Sequence, residues 1–184
     1  SSLPLNFEEI IFRPEWEYTG TGGKFAYKCG VIPGKVFFSS LTGTIPEQAV
    51  EKLIPIFRDI YKKGGLEERE FIRIADYTEF DGAPAATRQK YASLLKDMNE
   101  EHGSTPVVTY ICGAARWVKA VMRITAMFVG QNFVFTNTVE EAFHLINSGK
   151  PAPGQKKNNI QVSRKTLDTF NSIVGGMLWG KQIE

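Results

Sequence analysis

Between Phe71 and Ile146, short apolar runs alternate with stretches in which apolar residues recur every three or four positions. Phe71-Ile72-Arg73-Ile74-Ala75-Asp76, Thr105-Pro106-Val107-Val108-Thr109-Tyr110-Ile111-Cys112 and Asn132-Phe133-Val134-Phe135-Thr136 read as strands. Amphipathic helices separate them. One runs from about Pro84 to Glu100, with Ala85, Tyr91, Leu94, Leu95 and Met98 inward. The next covers about Ala114 to Phe128, with Trp117, Val121, Ile124 and Phe128 as its buried stripe. A further helix starts at Thr138, which has Glu141 at capping-box spacing, buries Val139, Ala142, Phe143 and Ile146, and ends near Gly149. This alternation implies right-handed crossovers and a mostly parallel sheet with helices against it. Ligands and partners of such sheets bind at the strand ends.

Upstream, Phe25 to Val31 and Lys35 to Leu41 read as two strands turned by Pro33-Gly34, a hairpin that adds an antiparallel edge. The first helix follows Thr44-Ile45-Pro46-Glu47. Thr44 and Glu47 have capping-box spacing, and Val50, Leu53, Ile54, Phe57, Ile60 and Tyr61 form one stripe that Gly64-Gly65 closes. Thr78 to Pro84 reads as a turn. The expected organisation is a lead-in segment over 1–23, an α/β domain over 24–149, a linker of Pro, Gly, Lys and amide residues over 150–162, and a C-terminal helix over 163–184. In that helix Leu167, Phe170, Val174 and Met177 have the spacing of a coiled-coil seam, which Gly175-Gly176 interrupts. It is a candidate homodimer contact, or a lead into a further domain.

The 184 residues suffice for one domain with a real core, and 42% hydrophobic against 23% charged residues is the balance of a soluble globular chain. A net charge of +2 gives no nucleic-acid footprint, and no apolar run approaches the ~20 residues that span a bilayer. The first residues lack the basic start and apolar core of a signal peptide. Cys29 and Cys112 lie in predicted strands and read as reduced core thiols of a cytoplasmic protein. His102 and His144 have no partner motif and read as solvated surface groups.

No nucleophile elbow, metal motif or cofactor fingerprint appears, so no cofactor is expected and an enzyme is disfavoured. Gly20-Thr21-Gly22-Gly23-Lys24 lacks the spacing and flanking elements of a phosphate loop. Asp76 and Asp81 flank the predicted turn. They read as a strand end and as an acceptor for the free N–H groups opening the next helix, rather than as an acid–base pair. Arg116, Lys119 and Arg123 share one helix face, a solvated surface or a dock for an acidic partner.

The order of elements resembles the STAS domain, the fold of anti-sigma-factor antagonists. Leu41-Thr42-Gly43-Thr44-Ile45 looks like the family's second-strand ending, Phe71 to Asp76 like its central strand ending in Asp, and Asp81-Gly82 like the start of the loop and helix that carry its phosphorylation site. The resemblance covers roughly residues 24 to 149. It implies a STAS-like mixed sheet with an N-terminal hairpin and a non-enzymatic regulatory role. One departure bears on mechanism. Asp81 is followed by Gly82-Ala83-Pro84-Ala85, so the regulatory Ser or Thr is missing, and Thr78 and Thr87 are not clean substitutes. The expectation is a sensory or interaction module of a bacterial-type signal-transduction protein. Its partner would be its own downstream output domain or a regulatory protein, and a ligand or that partner would be met at Asp76, Tyr77, Asp81, Gly82, Arg88, Arg116 and Trp117. The alternative is a small-molecule or lipid-binding module, with Trp117, Met122, Met127 and Phe128 lining the pocket.

Overall fold

The computed structural model describes residues 4–129 and 132–150. The linker expected beyond residue 150 and the helix expected over 163–184 lie outside the described residues. Six strands form one sheet in the order β1-β2-β3-β4-β5-β6: β1 (Ile11–Thr19), β2 (Phe25–Ile32), β3 (Val36–Thr44), β4 (Glu70–Gly82), β5 (Thr105–Cys112) and β6 (Phe133–Thr136). The first three pair antiparallel and the last four parallel. Helices α1 (Glu47–Lys63), α2 (Ala85–Glu101) and α3 (Arg116–Val129) make the three crossovers, and α4 (Val139–Asn147) follows β6.

Each crossover steps one strand in the same direction, and crossovers of one hand that all step the same way put their helices on one face. The packing agrees. Phe25, Tyr27, Cys29, Phe37, Leu41, Phe71, Ala75 and Ile111 from alternate strand positions meet Leu53, Phe57, Leu94 and Val118 from α1, α2 and α3 in one core. The intervening positions, including Val36, Phe38, Ile74, Val108, Tyr110 and Val134, meet Val139, Ala142 and Phe143 of α4 and Ile10 of the N-terminal segment in a second, thinner core. Period-two alternation thus feeds two cores from one sheet. No helix of the described residues is long and apolar enough to cross a membrane.

Several local expectations are corrected. The lead-in contributes the edge strand β1, whose fully buried Trp16 donates from Nε1 to Asp59 Oδ2 of α1 at 2.8 Å. Thr44 does not cap α1, because it is still paired in β3; the N-cap is Pro46, with no side-chain bond. Likewise β4 does not end at Asp76 but continues to Gly82, paired to Thr42–Thr44 across two register irregularities. The buried position at the start of α3 is Val118, and Trp117 is 43% exposed, so the stripe is rotated by one residue. His102 is buried rather than solvated: Nδ1 lies 3.0 Å from Glu67 Oε1, and the ring packs on Tyr61 at 5.1 Å. Thr138 caps α4 as expected, accepting from the Glu141 N–H at 3.1 Å.

Candidate functional site

The site lies where β4 and β5 part at their C-terminal ends. Their ladder closes with Asp76 opposite Cys112. Beyond that pair β4 runs on along β3 alone, while β5 turns through Gly113 toward α3. The chain crowds there. Gly113 has φ +67°, and a Cβ on it would collide with the Thr78 hydroxyl, so both conformation and contact require glycine.

Asp76 is half-buried, and its Oδ1 accepts from the Thr78 N–H at 3.0 Å and from the Thr78 hydroxyl at 2.6 Å. This local clasp occupies the carboxylate where β4 loses its register. Tyr77 is buried in the larger core and stacks on Phe80 at 5.0 Å. Asp81 is exposed and stands in β4; α2 opens at Pro84 with no side-chain cap, so the capping role expected of Asp81 is overturned. Gly82, at φ +142°, accepts a hydrogen bond at its carbonyl from the Ile45 N–H at 3.0 Å, and a Cβ there would lie 3.4 Å from the Trp117 ring. The indole therefore rests over Gly82 while 43% of the residue faces solvent. Arg116 beside it is exposed. Cys112 at the rim is a buried thiol whose pKa is pushed up to about 11 by burial, so it is protonated and unreactive at neutral pH.

Of the seven predicted residues, Gly82 and Trp117 come together, Asp81 and Arg116 adjoin them in sequence, and Asp76 and Tyr77 lie five or more residues back along β4. Arg88 stands apart on α2, half-buried, with its Nε enclosed and without a partner, and burial lowers its pKa. On α3, Arg123 lies over the Phe135 ring at 5.1 Å, while Arg116 is free of ion pairs among the described residues. Of the residues expected to line a ligand pocket, Trp117 is 43% exposed and Met122 packs on the larger core, while the Met127 and Phe128 side chains lie outside the described residues.

One constellation escaped sequence reading. Arg73, in the middle of β4, is 9% exposed on the same sheet face as Phe71 and Ala75. Its Nη2 donates to the Tyr91 hydroxyl at 2.9 Å, which lies 3.1 Å from that of Tyr27. The guanidinium sits 5.8 Å from the Phe37 ring centre and 5.7 Å from that of Tyr91. Strand alternation pointed Arg73 inward, and only its charge argued otherwise.

No protein-family model matches the chain, and no curated protein matches it. Among solved structures it is similar to an uncharacterized protein from Shewanella loihica PV-4 with a SpoIIAA-like fold, at TM-score 0.50 and 15% identity, over 65% of this chain and 92% of that one. The fold is SpoIIAA-like. The chain is also similar to the anti-sigma factor antagonist SpoIIAA in its unphosphorylated form, at TM-score 0.46 and 14% identity, over 67% of this chain and 99% of that one. The SpoIIAA-like fold agrees with the STAS-like mixed sheet expected from the order of elements. At such identities the likeness extends to the fold and leaves side chains to be read from this chain alone.

Proposed function

We propose that this chain is a non-enzymatic regulatory module of a bacterial-type signal-transduction protein. It binds its own output domain or a cognate regulatory protein at the crevice where the end of β4 meets the start of α3. The observation that carries this is Trp117, a large aromatic 43% exposed yet seated on the rigid backbone of Gly82. An aromatic anchor held by backbone, with an exposed arginine beside it, is the usual make-up of an interface hot spot. Arg116 favours an acidic partner surface. Thr87 is buried and Thr78 is clasped to Asp76, which supports a switch other than hydroxyl phosphorylation in this loop. Two free, buried thiols favour a reducing, cytoplasmic setting.

The test is titration calorimetry of residues 1–184 against the output domain or regulatory protein that the same gene or operon encodes. Trp117→Ala should weaken binding by tenfold or more while leaving the far-UV spectrum unchanged. Equal affinity in a folded Trp117→Ala variant would overturn the assignment of this crevice.

A further inference from the structure

Six buried side-chain polar atoms lack a hydrogen-bond partner among the described residues. Four of them, Ser39 Oγ, Arg73 Nε, Thr87 Oγ1 and Arg88 Nε, belong to β3, β4 and the first turns of α2. Ser39 alternates with Phe37 and Leu41 and so faces the larger core, and its parallel partner Ala75 is two residues on from Arg73. Thr87 lies one helical turn before Tyr91, the residue that Arg73 holds. Native interiors rarely leave such atoms unpaired, and four on adjoining elements call for a missing partner.

The charge balance says what kind. Arg73 has no carboxylate within ion-pair distance among the described residues, and its guanidinium meets the Tyr91 hydroxyl and the rings of Phe37 and Tyr91. Burial raises the pKa of Tyr27, Tyr61, Tyr77 and Tyr91 and of the Cys29 thiol, so none of them supplies a negative charge at neutral pH. Burial disfavours the charge on Arg73 itself, the tyrosine oxygens favour it, and the guanidinium stays protonated. A buried cation is ordinarily paired.

We propose that the region beneath the first two turns of α2 is a binding site for a compact oxyanion, a free carboxylate or phosphate, held by the Arg73 fork and the Ser39 and Thr87 hydroxyls with Arg88 at its mouth. Planar guanidinium donors match such groups in geometry as well as charge. α2 is the cover. Its apolar anchors Leu94 and Met98 lie in its second half, and its first two turns are held by the buried Thr87 and by Tyr91, which Arg73 and Tyr27 bond. The site is separate from the Trp117 crevice and does not rest on the function proposed there.

The experiment is thermal unfolding of the 184-residue chain at fixed ionic strength, with sodium chloride replaced stepwise by sodium acetate or sodium phosphate. Phosphate raises Tm of many proteins by exclusion from their surfaces, without saturating, so the variants decide. The expected result is a saturable rise of ~2–4 °C in the parent chain. The rise should be lost in Arg73→Met, diminished in Thr87→Val, and retained in Trp117→Ala. Where Arg73→Met does not fold, the Ser39→Ala/Thr87→Val double variant replaces it. No rise, or a rise of equal size and midpoint in the variants of this site, would overturn the proposal.

Discussion

α1 and α2 are both 17 residues long, make successive crossovers and lie side by side on one sheet face, yet they are held in different ways. α1 buries Ala49, Val50, Leu53, Phe57, Ile60 and Tyr61, a full stripe of apolar and aromatic groups. α2 buries Thr87, Leu94 and Met98. Its first six residues, Ala85-Ala86-Thr87-Arg88-Gln89-Lys90, contain no apolar side chain larger than alanine, and Tyr91 after them packs on Phe57. The second half is tied down: Tyr61 donates to Asn99 at 2.5 Å, and Arg58 reaches both oxygens of Glu101 at 3.2–3.4 Å. Most helical stability in proteins comes from packing of an apolar face. α1 therefore acts as a buttress, and the front of α2 as a cover over polar groups.

The largest test of that contrast is a pair of truncations. Phe57 is fully buried and meets Phe37 edge-on at 5.4 Å, Tyr27 at 5.7 Å and Tyr91 at 6.2 Å. Phe57→Ala should cost ~3–5 kcal/mol, from lost transfer energy and the cavity left behind. Leu94→Ala on α2 should cost about 2 kcal/mol, the lower end of its class, because the surrounding helix can settle into the space. Urea midpoints at unchanged m values measure both. Equal losses would show that α2 is as firmly seated as α1.

Much of this contrast was legible before any coordinates, because the stripe from Val50 to Tyr61 has one meaning and the broken pattern from Ala85 to Lys90 has another. The alternation of strands and helices likewise placed a mostly parallel sheet with an antiparallel hairpin at its edge. What failed has physical causes. In β1 the run Arg13-Pro14-Glu15 interrupts the apolar positions, and a register shift between Phe12 and Glu17 carries Trp16 inward, so no simple alternation marks the strand. The register irregularities in β4 disguised Thr78 to Gly82 as a turn. On α3 an error of one position exchanged Trp117 for Val118, a rotation of about 100°. His102 is buried by Tyr61 and Glu67, 41 and 35 residues away, a contact that no local pattern announces. Of the candidate site residues, Gly82 and Trp117 are brought together and Arg88 stands apart on α2, and the inward register of Arg73 shows only once Phe71 and Ala75 are known to face the helices.

A smaller effect tests the buttress from its other side. Trp16 ties the edge strand to α1 through Asp59, which also pairs with Lys63 at 3.0 Å. Trp16→Phe should cost ~1–2 kcal/mol near pH 7, combining the lost hydrogen bond and a partial cavity. The bond from Trp16, helped by Lys63, holds the Asp59 carboxyl below its ordinary value. A folded pKa depressed in this way contributes stability that is present above the unfolded value of about 3.9 and lost as pH falls through the folded one. The gap between parent and Trp16→Phe should therefore narrow in acid unfolding as pH falls below the ordinary aspartate value and through the lowered one. An unchanged gap would assign the whole effect to packing.

Smaller again, and of opposite sign, is Thr87→Val. It replaces a buried hydroxyl that lacks a partner with a methyl of nearly the same shape. In chloride buffer it should leave stability unchanged or raise it by up to about 1 kcal/mol. A loss larger than that would mean the hydroxyl has a partner in the resting protein, and the cover would then be better held than its sequence suggests.

The smallest expected effect matters most to how α2 moves. In the front half of the helix its ion pair to α1 joins Lys90 Nζ to Glu47 Oε1 at 2.8 Å, with both side chains about half exposed. The bond to Glu47 raises the Lys90 pKa, so any stabilisation is present at neutral pH and fades as pH climbs through that raised value. At the surface, however, water and salt screen the attraction, and ordering two long side chains offsets what remains. Glu47→Gln should leave the urea midpoint unchanged within error. Amide exchange should show Thr87 to Lys90 opening faster than Asn99 to Glu101 in parent and variant alike. If breaking this one pair instead shifts the midpoint or speeds exchange along the front of α2, the cover is latched, and release of Lys90 becomes the step that any ligand beneath it must drive.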